Sequence, residues 1–272
     1  MRRQSASQKM ERLGGIIREM GSLLIAFSGG VDSTFLLKVA RETLGREKVL
    51  AVTASSPVYP KREHATARKL AKAMDVQHLF IDSREMDLPK FAANQVNRCY
   101  HCKRELFARL TEMAHKMNIS SVVEGSTLDD ERDFRPGMAA LREMSVRSPL
   151  REAGLTKAEI RARSRELGLP TWNKPSLACL ASRFPYGDRI TPEALRQVES
   201  AEQFLIGLGF SQVRVRHHGK TARIEIPPEE VESALDARTR SRIVRRLKAI
   251  GFTYVTLDLQ GYRSGSMNEV LT

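Results

Sequence analysis

Aromatic residues are scarce in this chain of 272 residues. Phe, Tyr and Trp together make up 6%, with a single tryptophan. The sequence therefore has no aromatic-rich basic stripe of the kind that stacks RNA bases, and no appended RNA-binding module is visible. Cysteine is scarcer still. There are three, an odd number that argues against a disulfide scaffold. No apolar run approaches the length of a membrane span. Met1, Arg2 and Arg3 lead into Gln-Ser-Ala-Ser-Gln rather than an apolar signal segment, so a cytoplasmic protein is expected. Internal repeats and low-complexity tracts are absent. Acidic residues are outnumbered, 32 against 45 Lys and Arg, for a formal charge of +13. That excess suits nucleic acid, a membrane surface or anionic small molecules. Residues 191–272 hold 12 Lys and Arg against 10 Asp and Glu, so +11 of the excess lies in residues 1–190. No segment is a like-charge block long enough for a basic tail. Solvated helix faces account for most of these cations, Arg-rich phosphate pockets come next, and an RNA-binding face third.

What is present is ordinary for a globular protein, with 41% hydrophobic and 28% charged residues. The length allows one large domain or two. Strands are expected near 22–27, 48–54, 76–81 and 120–124, and helices near 5–20, 31–44, 60–74 and 99–118. Strands separated by helices predict a parallel sheet covered on both faces, with ligands at the carboxyl ends of the strands. Residues 125–190 are irregular and rich in Pro, Gly and polar residues. A helix from Thr156 to Leu167 interrupts them, with Thr156 as N-cap, Glu159 three residues on and Gly168 as terminator. From Thr191 the order becomes α-β-β-α-α-β, with a hairpin at His218-Gly219-Lys220. The expected division is an α/β nucleotide-binding domain over 1–190 and a small α+β domain over 191–272 for substrate binding or oligomerisation.

The most informative segment is Ala26-Phe27-Ser28-Gly29-Gly30-Val31-Asp32-Ser33. It lies between the apolar run Leu23-Leu24-Ile25 and a helix with Phe35, Leu36, Val39 and Ala40 at helical spacing. Ser28, Gly29, Gly30 and Ser33 are small enough for backbone N–H groups to close around an anion at a helix N-terminus. The turn lacks the Lys of a Walker A loop, so γ-phosphoryl transfer is not indicated. Ser-Gly-Gly-x-Asp-Ser instead resembles the PP-loop of ATP pyrophosphatases, which hold pyrophosphate as it leaves. Asp32 and Ser33 are the catalytic candidates at the phosphate end. Thr53, near the end of the second strand, and Gly125, after the fourth, complete the expected ATP and pyrophosphate site.

Cys99-Tyr100-His101-Cys102 opens a predicted helix, and Cys179 follows 77 residues later. A lone C-x-x-C fits a redox dithiol, half a zinc site or part of an iron–sulfur site. Three thiolates suffice for a 4Fe–4S cluster with one iron open. Three unrelated thiols are the alternative. Arg214 and Arg216 share one strand face and suit a phosphate or two carboxylates, or else lie on an exposed face. Asp129, Asp130 and Asp133 suit a Mg2+ cluster; the alternatives are that they cap the next helix or pair with Arg132 and Arg135. Trp172, beside Pro170, reads as packing or hinge.

Taken together, five stretches resemble the LarE family. They are the PP-loop, Asn97 to Lys103, Gly125 to Asp130 with Asp133-Phe-Arg-Pro-Gly, Pro175 to Arg183, and Gly261 to Glu269. The resemblance runs over nearly the whole chain. It implies an ATP-dependent sulfurtransferase of nickel-pincer nucleotide synthesis. Such an enzyme adenylylates carboxylates of pyridinium-3,5-biscarboxylate mononucleotide, releases pyrophosphate and leaves thiocarboxylates. In one branch of the family the cysteine matching Cys179 gives up its own sulfur and becomes dehydroalanine. In the other, three cysteines hold a 4Fe–4S cluster with an exchangeable sulfide, and this chain has Cys99, Cys102 and Cys179. The resemblance further implies Arg183, Arg214 and Arg216 as ligands of substrate phosphate or carboxylate, sulfide or a cysteine-derived sulfur source, and a homo-hexamer. Two rival readings are a PP-loop tRNA thiolase, which salt-dependent tRNA retention would reveal, and a nucleotide sensor without chemistry, which pyrophosphate release would exclude.

Overall fold

The computed structural model describes residues 5–132, 136–175, 178–263 and 265–271. In chain order these form α1 (Ala6–Glu19), β1 (Leu23–Ala26), α2 (Val31–Leu44), β2 (Val49–Ser55), α3 (Lys61–Ala73) and β3 (Gln77–Asp82). Then come the short α4 (Pro89–Ala92), α5 (Arg98–Lys116), β4 (Ser121–Val123), α6 (Gly137–Glu143), the short α7 (Pro149–Glu152) and α8 (Lys157–Glu166). The remainder is α9 (Pro192–Gly207), β5 (Arg214–His218), β6 (Thr221–Glu225), α10 (Val231–Leu235), α11 (Ala237–Ile250) and β7 (Tyr254–Leu257).

The chain divides into two compact units. The first comprises Met1–Leu88 and Asn97–Leu177, the second Pro89–Val96 and Ala178–Thr272. In the first, four parallel strands run in the order β3-β2-β1-β4. Side chains alternate along a strand, so each strand feeds two cores. Leu23, Ile25, Val49 and Ala51 join Ile17 of α1, Phe35 of α2, Leu70 of α3 and Ile160 of α8. Leu24, Leu50 and Val52 face the other way, toward Phe107 and Leu110 of α5 and Leu141 of α6. Helices therefore cover both faces of the sheet, as the unbroken apolar strands require. This is the PP-loop α/β architecture that the octet predicts. The β1 to β2 to β3 progression runs outward, and the chain then returns to place β4 against the other side of β1. The order reverses between β1 and β4, and a ligand crevice belongs at the carboxyl ends of these two strands.

The second unit is a three-stranded sheet, β5-β6-β7, with β5 and β6 antiparallel and β6 and β7 parallel. Its core joins Leu205 of α9, Val215, Ile224, Ile243 and Leu247 of α11, and Phe252. Asn94 explains why residues 89–96 belong here. Its side-chain amide donates to the carbonyls of Phe184 and Pro185, while its own carbonyl accepts from the Gly187 N–H at 3.0 Å. Residues 178–190, grouped above with the nucleotide-binding half, thus lie in the C-terminal unit. Among the described residues no helix is long and apolar enough to cross a membrane.

Candidate active site

At the end of β1 the chain stays in register for one more residue, with the Phe27 N–H on the Val52 carbonyl at 2.8 Å. It then turns at Gly29, whose φ of +69° suits glycine. Gly30 caps α2, and Asp32 and Ser33 occupy its first turn. Ser28 Oγ and Ser33 Oγ are 3.1 Å apart, which closes the loop on itself. Gly125 reaches the same place from β4. A Cβ there would lie 3.1 Å from the Ser33 nitrogen, so only glycine allows this approach without a shift. Thr53 acts on the loop indirectly, since its hydroxyl donates to the Phe27 carbonyl at 2.7 Å and lies 2.8 Å from His78 Nε2. Ala26, Phe27, Ser28, Gly29, Gly30, Asp32, Ser33, Thr53 and Gly125 are therefore brought together at the crevice between β1 and β4. The turn has the strand–loop–helix form in which N–H groups at a helix N-terminus are suited to hold an anion.

Lys174 attracted no role in the sequence, yet it touches this loop. Its ammonium donates to the Gly29 carbonyl at 2.9 Å and to Glu63 Oε2 at 2.6 Å. Arg161 of α8 pins the segment by donating to the carbonyls of Trp172 and Lys174, both at 2.9 Å. Trp172 is exposed, with Arg165 lying over its ring at 5.0 Å.

The acidic pair of the expected Mg2+ cluster lies beside the start of α8. Asp129 accepts from the Lys157 N–H at 2.6 Å, at the start of α8. Asp130 accepts from the Thr127 N–H at 2.8 Å and pairs with the Lys157 ammonium at 2.8 Å. Asp129 thus meets the start of α8, and Asp130 closes its own turn on Thr127 while pairing with Lys157. Asp133 and Arg135 lie outside the described residues. Cys99 and Cys102 sit three apart in the first turn of α5, a spacing that puts two thiols on one helix face. Both are half-buried, as is Cys179 in the second unit, and none is in a disulfide. Among the described residues no three of His, Cys, Asp and Glu are gathered to hold a metal ion.

In the second unit, Cys179 heads a short turn over Leu180–Arg183. The Cys179 carbonyl accepts from the Ser182 N–H and from the Arg183 guanidinium, both at 3.0 Å. Arg183 is fully buried and pairs with Glu202 of α9 through two hydrogen bonds of 2.8 and 3.0 Å. Arg216 pairs in the same way with the buried Glu225, and a third nitrogen holds the Ser182 carbonyl at 2.8 Å. Arg183 and Arg216 therefore clamp the Cys179 turn, and the exposed-strand alternative for Arg214 and Arg216 does not hold. Arg214 is buried on the same face and lies over the Tyr262 ring at 5.2 Å. Burial, and then the charge of Arg183, pull its pKa down to about 10, which leaves it charged at neutral pH. Three guanidiniums and a thiol are thus gathered in one unit.

The likeness to other proteins follows this geometry. A family model described as NAD synthase matches residues 10–127, the stretch from α1 through the cradle to Gly125. Pyridinium-3,5-bisthiocarboxylic acid mononucleotide synthase of Lactiplantibacillus plantarum is 40% identical over 97% of this chain and 95% of its own length. The chain belongs to the LarE family. Uncharacterized protein slr1717 of Synechocystis is 45% identical over 97% of this chain and 98% of its own length. Argininosuccinate synthase of Methylococcus capsulatus is 33% identical over 54% of this chain and 39% of its own length, so that likeness is partial.

Proposed function

We propose that this chain inserts sulfur into a pyridinium mononucleotide after activating its carboxylates with ATP. The observation that most supports this is the 40% identity, over nearly both full lengths, to a protein named as a synthase of the bisthiocarboxylic acid. The chemistry follows from leaving groups. An oxygen of a carboxylate is not displaced directly by sulfur. Attack of that oxygen on the α-phosphorus of ATP breaks the α–β phosphoanhydride bond and releases pyrophosphate. The acyl adenylate then carries AMP, a good leaving group, and a sulfur nucleophile displaces it to give the thiocarboxylate. In this reading the cradle, with Asp32 and Ser33 at its phosphate end, holds ATP with its Mg2+ and then pyrophosphate. Arg214 receives the substrate phosphate.

The sulfur comes from the Cys179 thiolate or, as the three-cysteine resemblance implies, through a 4Fe–4S cluster on Cys99, Cys102 and Cys179, which would supply exchangeable sulfide. The test uses purified protein, ATP and pyridinium-3,5-biscarboxylate mononucleotide. The expected result is substrate-dependent pyrophosphate release and a thiocarboxylate by mass spectrometry. Asp32→Ala and Ser33→Ala should abolish pyrophosphate release while circular dichroism stays unchanged. Full activity in both variants, or release that ignores the substrate, would overturn the reading.

A further inference from the structure

The phosphate loop carries no lysine of its own, yet a lysine is bonded to it. Lys174 stands 145 residues beyond Gly29, on the segment that Arg161 and Thr171 hold. Arg161 takes the Lys174 carbonyl, and the Lys174 N–H donates to the Thr171 carbonyl at 2.9 Å. Trp172 beneath Arg165 fixes the same segment. The Lys174 ammonium reaches a single loop atom, the Gly29 carbonyl oxygen.

That contact has a geometric consequence. A trans peptide sets its C=O and N–H on opposite sides. Drawing the Gly29 oxygen toward Lys174 turns the Gly30 N–H the other way, where it donates to Ser28 Oγ at 3.3 Å, a long bond that an anion can replace. The Gly30 N–H heads α2 and is one of the donors an anion at this helix end would meet. Gly29, at φ +69°, has little steric restraint of its own, so the Lys174 tether adds to the long Ser28 bond in holding the peptide in one orientation. Lys174 also brings a full positive charge to the edge of a loop whose own sequence has none. Glu63 of α3 shares that charge at 2.6 Å, and Arg62 lies 3.4 Å from the other Glu63 oxygen.

We propose that Lys174 is the positioning residue of the phosphate loop, tethering the Gly29–Gly30 peptide in its anion-binding orientation and adding the charge that offsets pyrophosphate, with Glu63 as its restraining counter-ion. The inference rests on the pyrophosphate reading of the loop, and calorimetry with inorganic pyrophosphate at fixed ionic strength separates the two. Absence of pyrophosphate binding by the unaltered protein would remove the reading itself.

Given binding, Lys174→Met should weaken it by roughly ten- to a hundredfold, the range for loss of a charged hydrogen bond. Lys174→Arg should recover part of the loss. Glu63→Gln should bind pyrophosphate as tightly as the unaltered protein or more tightly, because it releases the ammonium toward the anion. The double variant Lys174→Met/Glu63→Gln leaves no half-buried charge unpaired, so a purely structural ion pair predicts that its affinity recovers. The positioning role predicts that it stays weak, with the KM for ATP raised more than kcat is lowered. Recovery in the double variant, equal weakening by Glu63→Gln alone, or unchanged affinity in Lys174→Met would each overturn the proposal.

Discussion

Thr53 has one hydroxyl proton, and the Phe27 carbonyl takes it, so His78 must be the donor in their 2.8 Å contact. A neutral imidazole protonated at Nε2 meets that demand. The ring is packed 4.7 Å from Phe80 and stands edge-on to Phe27, with Arg68 over Phe80. Burial, and then the Arg68 charge, hold the His78 pKa below its ordinary 6.5. The sign follows from linkage. Above 6.5 the ring is neutral in both states, and below it the unfolded chain takes a proton that the native one resists, so stability falls with falling pH. Urea unfolding on both sides of pH 6.5 should show that decline, and His78→Gln should flatten it. His217 and His218, also lowered mainly by burial, keep the slope from vanishing. Parallel slopes in the two proteins would exclude His78 as a contributor. At this scale the sequence is legible where one residue type has one use: Gly29 and Gly125 sit where a side chain would be strained or crowded. Lys174 was not legible, because a lysine before a proline looks like any solvated cation until the fold returns it to Gly29.

Helix and strand positions were readable where the periodicity is sustained, whereas the short α4, α6 and α7 were not expected, the last two in the 125–190 stretch read as irregular with one helix. The expected 31–44 helix coincides with α2, and the hairpin turns at His218–Lys220 as expected. What an element packs against was harder to read. Alternation places Arg214 and Arg216 on one face of β5, but nothing local says that the face is buried. The carboxylates that bury it come from Glu202 on α9 and Glu225 on β6. This changes the expected phenotype. Arg183→Ala and Arg216→Ala each strand a buried carboxylate, which costs about 3–5 kcal/mol. Both should lower the denaturation midpoint sharply before any effect on substrate is reached. Arg214 lies over the Tyr262 ring rather than on the Cys179 turn, and Arg214→Ala should raise the substrate KM more than it lowers kcat. A midpoint unmoved in Arg183→Ala and Arg216→Ala would mean that the clamp on the Cys179 turn contributes nothing to folding.

Each unit of the molecule has its own hydrophobic core, and the chain crosses between them more than once. Residues 89–96 leave the first unit before α5 begins, and that crossing has no signature in composition, because it depends on Asn94 reaching carbonyls 90 residues away. The net charge has a similarly divided meaning. The six Arg and Lys residues of α11 are exposed, with no acidic residue in the helix, whereas Arg183, Arg214 and Arg216 are buried around one turn. A formal +13 therefore mixes solvated cations with structural ones and identifies no partner by itself. The thiols are divided too, Cys99 and Cys102 in the first unit and Cys179 in the second, and the source of sulfur follows from how many of them the reaction needs. A sacrificial donor needs Cys179 alone, so Cys99→Ser and Cys102→Ser would leave a single turnover intact. The product would then appear once per chain as the polypeptide loses the mass of hydrogen sulfide. A cluster needs three thiolates, since serine is a poorer ligand for iron. The expected outcome, from the presence of all three cysteines, is that each Cys→Ser change bleaches the iron–sulfur absorption of anaerobically purified protein. Each should stop sulfur transfer to a similar extent, with the polypeptide mass unchanged after turnover. Iron-free protein that loses that mass as it forms one product would make Cys99 and Cys102 bystanders and Cys179 the donor.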